Sequence, residues 1–464
     1  MNNNASRKIK KILKKKSRYL SRIMENIENE QKIAIKKLQL KALIASSEEY
    51  VERSHGARSI VAHGPLSNEI NQVPHNVIPA TQSKPEGQHV KEYHKQIYDL
   101  QNQEMNFDKG TDATPGTGSH EQHEIMDKFR LQFEERFLNM KQDGKWKLPS
   151  GKYVEDIIYE YARNLSYESF IIDISNEDVM NLFDYNDRDF VMTNNILPEP
   201  SIDDELMEHL LRYRKDKSQE LRKLVNDGLH ISPYDPVKHF HYQYVHQVFS
   251  QLLPRYELRP DDFTNSHLEG WFTSNVWSII VDACFIDLQS IEFIRGEGCS
   301  RASAQRKNTG RASPKEKAMF GRKCDGIARK VGSLDEYAIS EEGRIWNGEN
   351  GTKYLSDGGL KMPKIMKDML HQKINKHGLS FVKTHQLEII GFLHSAQYLQ
   401  LLVMDIPSWY VCRIQRKPLC EFPKTLVNVD ELITIIHEVL VAKLLHSFLQ
   451  FFTILYVFVL LSAE

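Results

Sequence analysis

Three carboxylates, Glu269, Asp325 and Glu342, are the residues best placed by type and setting to do chemistry. Asp325 follows the basic Gly321-Arg322-Lys323, and Glu342 lies two residues before Arg344. Two or three carboxylates converging on one point hold a hard divalent ion, and all-oxygen ligands select Mg²⁺ or Mn²⁺. Such an ion activates water and stabilises the charge that develops in phosphoryl transfer, and a nearby cation orients the nucleophile or neutralises charge. The same residues also have plain structural uses: Glu269 as a helix cap, Asp325 as a turn acid, Glu341-Glu342 as an exposed strand end. Other constellations are weaker. His239, His241 and His246 cluster among Phe240, Tyr242 and Tyr244, but no cysteine or carboxylate completes a zinc site at ligand spacing. Gly351-Thr352-Lys353 lacks the full spacing of a phosphate-binding loop. The five cysteines lie far apart with no C-x-x-C pair, which excludes a disulfide framework or zinc ribbon and fits a reducing intracellular compartment, nuclear or cytoplasmic.

The elements that must position these residues are read from periodicity. Ser266 and Glu269 have capping-box spacing ahead of the apolar run Trp271 to Phe285. Residues 295–320, basic and rich in Ser, Ala and Gly, read as a loop. Cys324–Arg329 and Glu336–Glu341 read as two strands joined by a turn at Gly332-Ser333. Met362, Ile365, Met366, Met369, Leu370 and Ile374 share one face of a helix starting at Pro363. Leu387–Leu393, Tyr398–Met404 and Trp409–Arg416 read as a strand meander with a Pro407-Ser408 turn, and Val429 to Leu445 as a last helix.

This order, helix, strand, strand, helix, strands, resembles the PD-(D/E)XK nuclease core over residues 261–416. The resemblance implies catalytic roles for Asp325, Glu342, Arg344 and Glu269, with Asp325 and Glu342 as metal ligands. It implies nucleic acid as partner, with Arg306, Lys307, Arg311, Arg322 and Lys323 as its contacts. The chain departs from the pattern at two points: Arg344 stands where lysine is expected, and no proline precedes Asp325. Arginine keeps the charge but does not exchange a proton, so the resemblance extends to a degenerate site. At larger scale, residues 140–440 resemble an uncharacterised, lineage-expanded family of early-diverging, mucoralean-type fungi. The stretches that carry this are Leu148-Pro149-Ser150-Gly151-Lys152, Gly321-Arg322-Lys323-Cys324-Asp325-Gly326, Leu360-Lys361-Met362-Pro363-Lys364 and Trp409-Tyr410-Val411-Cys412-Arg413. That family brings no established activity.

Around this core the chain divides by composition. Residues 1–56 read as a basic amphipathic or coiled-coil helix through Ile9, Leu13, Leu20, Ile23, Ile27, Ala34 and Leu38, a seam suited to self-association. Nine Lys/Arg and no acid fall within residues 1–22, although the net charge of the whole chain is −1. This block suits a solvated helix face, a nuclear address or nucleic-acid contact, or an anionic membrane surface. Residues 57–123 lack periodicity and read as a disordered linker, 124–260 as a mainly helical acidic module, and 261–445 as a mixed domain with a small sheet flanked by helices. The fold class expected is therefore α+β, restriction-endonuclease-like in its C-terminal part. Leu445–Ala463 is an uncharged run of nineteen residues. It is long and apolar enough for a transmembrane anchor, and reads equally as a buried extension of the last helix or as translated intron sequence. Two functions stand: a nucleic-acid-associated protein with a nuclease-like domain, or a non-enzymatic scaffold, tail-anchored in a membrane through 445–463.

Overall fold

The computed structural model describes residues 130–163, 169–309, 317–377, 385 and 387–461, with the backbone alone beyond Leu445. The expected N-terminal helix and the linker lie outside the described residues, as does Arg311. In chain order come helix α1 (Val154–Arg163), one short strand, β1 (Ile171–Asp173), and helices α2 (Glu177–Met180), α3 (Tyr185–Thr193), α4 (Asp204–Leu211), α5 (Ser218–Asp227) and α6 (Phe240–Leu258). A helix α7 begins at Glu269–Phe272 and continues as wider π-helical turns over Thr273–Asp282. Then follow β2 (Ile291–Cys299), α8 (Arg301–Asn308), β3 (Lys323–Lys330) and β4 (Glu336–Gly343). A second π-helical segment, Tyr354–Lys361, leads into α9 (Met362–His377). Strands β5 (Ile389–Ser395), β6 (Tyr398–Ser408), β7 (Val411–Arg416) and β8 (Cys420–Glu421) precede the last helix, α10 (Val429–Leu461).

All eight strands form one mixed sheet in the order β1-β7-β6-β5-β4-β3-β2, with β8 pairing β6. Strands β2, β3 and β4 form an antiparallel meander; α9 then crosses over, and β5 returns parallel to β4. A parallel pair requires such a crossover, usually a helix. The sheet is larger than the small sheet the sequence suggested, because β1 joins parallel to β7 and β6 is long enough to pair with β5, β7 and β8.

One face of the sheet carries Ala328, Ala338, Ile390, Phe392 and Leu401, which pack under α4, α6, α7 and α10. The other carries Ile327, Ile339, Ile389, Leu393 and Leu402 under Met362, Ile365, Met366, Met369 and Leu370 of α9. The apolar stripe read from the sequence is thus the buried face of α9. That helix lies close on the sheet because Gly391 has no side chain; a Cβ there would sit 2.6 Å from the Met362 sulfur.

Three local expectations are corrected. Within 295–320 the residues up to Asn308 form the end of β2 and α8 rather than a loop, while 317–320 are irregular; an edge strand tolerates charge because one side faces water, and a bulge between Arg295 and Gly298 absorbs Gly296 at positive φ. Ser266 does not cap the helix: Leu268 is its N-cap and Glu269 its first residue. Pro407 and Ser408 belong to β6, and the turn falls at Trp409-Tyr410.

Candidate active site

Side chains alternate across a strand, so Glu341 and Glu342 must point to opposite faces of the sheet. The register pairs Gly326 with Ser340, and one step further along the antiparallel pair sets Asp325 against Glu341. Asp325 shares its face with Ile327, and Glu341 with Ile339, both on the α9 side. Like charges opposed across a sheet repel, and a cation answers them here. Lys361, the last residue of the second π-helical segment, places Nζ 2.6 Å from Oε2 of Glu341. Glu341 is wholly buried, and its other oxygen, Oε1, has no hydrogen-bond partner. Burial, with Asp357 and Asp325 nearby, pushes its carboxyl well above the usual range, although Lys361 pulls the other way. For Lys361, burial favours the neutral amine, but Glu341 and Asp357 more than offset it and hold the ammonium above its ordinary value.

The second π-helical segment adds more charge on this side. Lys353, Asp357 and Lys361 are spaced four apart, with Lys353 Nζ 2.8 Å from Oδ2 of Asp357. Burial raises the Asp357 carboxyl against the pull of Lys353. Glu269, half-buried at the start of α7, feels Asp325, Lys353, Asp357 and Lys361, and burial with the Asp325 charge raises it too. Long π-helical turns are uncommon and concentrate at functional positions. Here one begins one turn after Glu269, at Thr273, and the other carries Asp357 and Lys361.

Glu342 has a different setting. Its Oε1 accepts from Nη1 of Arg295 and its Oε2 from the Thr273 hydroxyl. Arg295 also grips Asp282, at 2.7 Å from Nη2, and donates to the Ser340 hydroxyl at 2.9 Å. Burial pushes Glu342 up to about 7, with Asp325 and Glu269 adding to the rise and Arg295 opposing it. Both Glu342 oxygens are therefore spoken for on the face away from α9. Its backbone N–H donates to Oδ2 of Asp325 at 2.7 Å, which fixes the aspartate beside the end of β4.

Of the residues proposed from sequence, Asp325 and Glu269 fall in this acidic cluster, Glu342 backs it across the sheet, and Arg344 stands exposed beyond the end of β4. Arg306 pairs with Asp368 at 2.7 Å. Glu341, with Glu342 expected from the sequence to be an exposed strand end, is instead wholly buried, and it joins Asp357, Lys353 and Lys361, none of which the sequence marks as a site residue. The four-residue spacing of the last three was visible in the sequence; their approach to β4 was not. Among the described residues, no three His, Cys, Asp or Glu side chains are grouped so as to hold a metal ion as they stand. The donor chemistry nonetheless suits a hard cation: all-oxygen, with four carboxylates (Glu269, Asp325, Glu341, Asp357) against two lysines and one orphaned oxygen on Glu341. No family model, curated protein or solved structure matches the chain.

Proposed function

We propose that this is an intracellular nucleic-acid-associated protein whose C-terminal part carries a nuclease-like site for Mg²⁺ or Mn²⁺. The observation that carries the reading is the opposition of Asp325 and Glu341 on one face of the sheet, with half-buried Lys361 paired to Glu341. The chain order supports it: a helix bearing Glu269, a three-strand antiparallel meander, a crossover helix and a parallel strand. The resemblance implies helix, strand, strand, helix, strands; β3, β4, α9 and β5 follow that order, and β2 and α8 are additions to it between α7 and β3. Asp325 and Glu341 would hold the ion, with Glu269 and Asp357 flanking it. A divalent ion would supply the activated water and neutralise the charge developing on phosphate. Lys361, kept protonated, presents a fixed positive charge, which is the role the sequence had assigned to Arg344.

Purified full-length protein would be incubated with labelled single-stranded and duplex oligonucleotides in Mg²⁺, Mn²⁺ or EDTA. Cleavage is expected only with a divalent ion. Asp325→Asn and Glu341→Gln should each reduce it at least a hundredfold, while Arg344→Ala should change it less than twofold. Cleavage in EDTA, or cleavage unaffected by Glu341→Gln, would overturn the assignment.

A second reading has its own support. Lys361 already neutralises one Glu341 oxygen, and three donors are not gathered among the described residues. A module that binds nucleic acid without turning it over would behave so, and binding without cleavage in every ion would favour it. The scaffold alternative, anchored through 445–463, rests on the tail. The backbone of α10 runs unbroken to Leu461, and among the residues described with their side chains, which end at Leu445, no helix is long and apolar enough to cross a membrane.

A further inference from the structure

The segment that leads into β3 is hydrogen-bonded along its backbone to α8 and its N-cap while presenting an aromatic ring to solvent. Phe320 is 77% exposed, and its neighbour Met319 is 52% exposed. Isolated exposed apolar residues need no explanation, but these two are adjacent and fixed. The Asn308 side chain, at the end of α8, donates to the Met319 carbonyl at 2.8 Å and accepts from the Met319 N–H at 2.9 Å. On the other side, Ser300 N donates to the Arg322 carbonyl at 2.8 Å. Between these clamps sits Gly321, where a Cβ would lie 1.8 Å from the Ser300 carbonyl oxygen. The backbone at this point thus passes against α8 with no room for a side chain, and the ring of the preceding residue is left outside.

The surroundings are cationic. Lys317 and Lys323 are both exposed on either side of Phe320. The sequence of residues 295–330 is basic, with eleven Lys/Arg against three acids, although Arg295, Arg306 and Arg329 are engaged in ion pairs. Asp325 is five residues beyond Phe320, no more than about 18 Å along even a fully extended chain. A pre-ordered aromatic face between two cations, close to a candidate phosphodiester site, matches the chemistry of an unpaired nucleobase. The base stacks on the ring while the flanking ammonium groups meet its phosphates, and a base already stacked within a duplex cannot do both.

We propose that Phe320 is a base-stacking platform that selects single-stranded nucleic acid for this site, with Lys317 and Lys323 as its phosphate contacts. The proposal rests on the nucleic-acid reading above and gives it a substrate class.

The test is binding of full-length protein, in EDTA so that no cleavage intervenes, to a fluorescein-labelled oligo(dT) and to a labelled hairpin duplex of equal length, read by anisotropy. Phe320→Ala should weaken oligo(dT) binding about tenfold, within the 5- to 150-fold range that loss of one aromatic–base stack produces. Hairpin binding should change less than twofold, and Phe320→Tyr should retain wild-type affinity for both. The N-terminal basic block contributes alike to every variant, so it cancels in the ratio of mutant to wild type. Equal loss on both probes, or no loss on oligo(dT), would overturn the stacking role while leaving nucleic-acid binding intact. Failure of the wild type to bind either probe would overturn both this inference and the reading it rests on.

Discussion

A buried carboxylate reports its surroundings through its proton affinity. Glu155 is the clearest case away from the candidate site. It has no exposed surface, accepts from Trp146 N–H at 2.8 Å through Oε2, and leaves Oε1 without a partner. Burial pushes it up to about 7. The folded state therefore holds a proton that the unfolded state has released above about pH 4.5. The resulting loss of stability begins near pH 4.5 and is complete above about pH 7. Glu155→Gln keeps an acceptor for Trp146 and removes the charge. The variant should gain on wild type as pH rises from 5 to 8, by up to about 2–3 kcal/mol, measured as the difference between their urea unfolding curves. A difference that shrinks over that range would reverse the sign and refute the assignment. Glu341 and Glu342 are adjacent in sequence yet answer to different neighbours, Lys361 on one face and Arg295 on the other.

At the scale of elements, Arg413 of β7 ties the N-terminal helices to the sheet. Its Nε donates to Oδ1 of Asp405 on β6 at 3.1 Å, and its Nη1 donates to the carbonyls of Val191 and Asn194, at 2.9 and 2.8 Å, at the end of α3. The guanidinium is fully buried. Replacing it alone strands the Asp405 carboxylate in the interior, which costs about 3–5 kcal/mol in comparable buried pairs. Arg413→Met should lose roughly that much in chemical denaturation, and Arg413→Met with Asp405→Leu should recover much of it. If the double variant is no more stable than the single one, the penalty comes from the lost α3 carbonyl contacts instead of the stranded charge.

Across the whole molecule, charge is segregated. The chain is nearly neutral, yet residues 1–22 carry nine cations, while residues 155–205 carry fourteen acids against Arg163 and Arg188. Binding to a polyanion responds to such local blocks through counterion release. Replacing Lys14, Lys15 and Lys16 by glutamine should reduce the slope of log K against log salt on duplex DNA by about 2.7, at about 0.9 per phosphate contact. An unchanged slope would make that block a solvated helix face.

Much of the fold was legible in the sequence where local periodicity decides it. Short apolar runs, Ile327-Ala328 and Tyr337-Ala338-Ile339 on either side of the Gly332-Ser333 turn, mark β3 and β4, and the Met-rich stripe specifies α9, because side-chain direction in a helix repeats every 3.6 residues whatever the rest of the chain does. The free cysteines and the apolar run after Leu445 are likewise composition alone. The strand β2 was not legible, since its charges and glycines are those of a loop; only its place at the sheet edge, with a bulge, makes them acceptable. Nor was the candidate site. Asp325 and Glu269 could be named from type and setting, but choosing Glu341 over Glu342 needs the β3–β4 register. Bringing Lys361 rather than Arg344 to that carboxylate needs the turn after β4 to fold back over it. Contacts between residues twenty or more apart depend on which surfaces the two cores bury together, and no local period encodes that. Local pattern is enough to say which segments can be strand or helix and where charge accumulates; which charges face one another follows from strand register and helix packing, since these bring together residues distant in the chain.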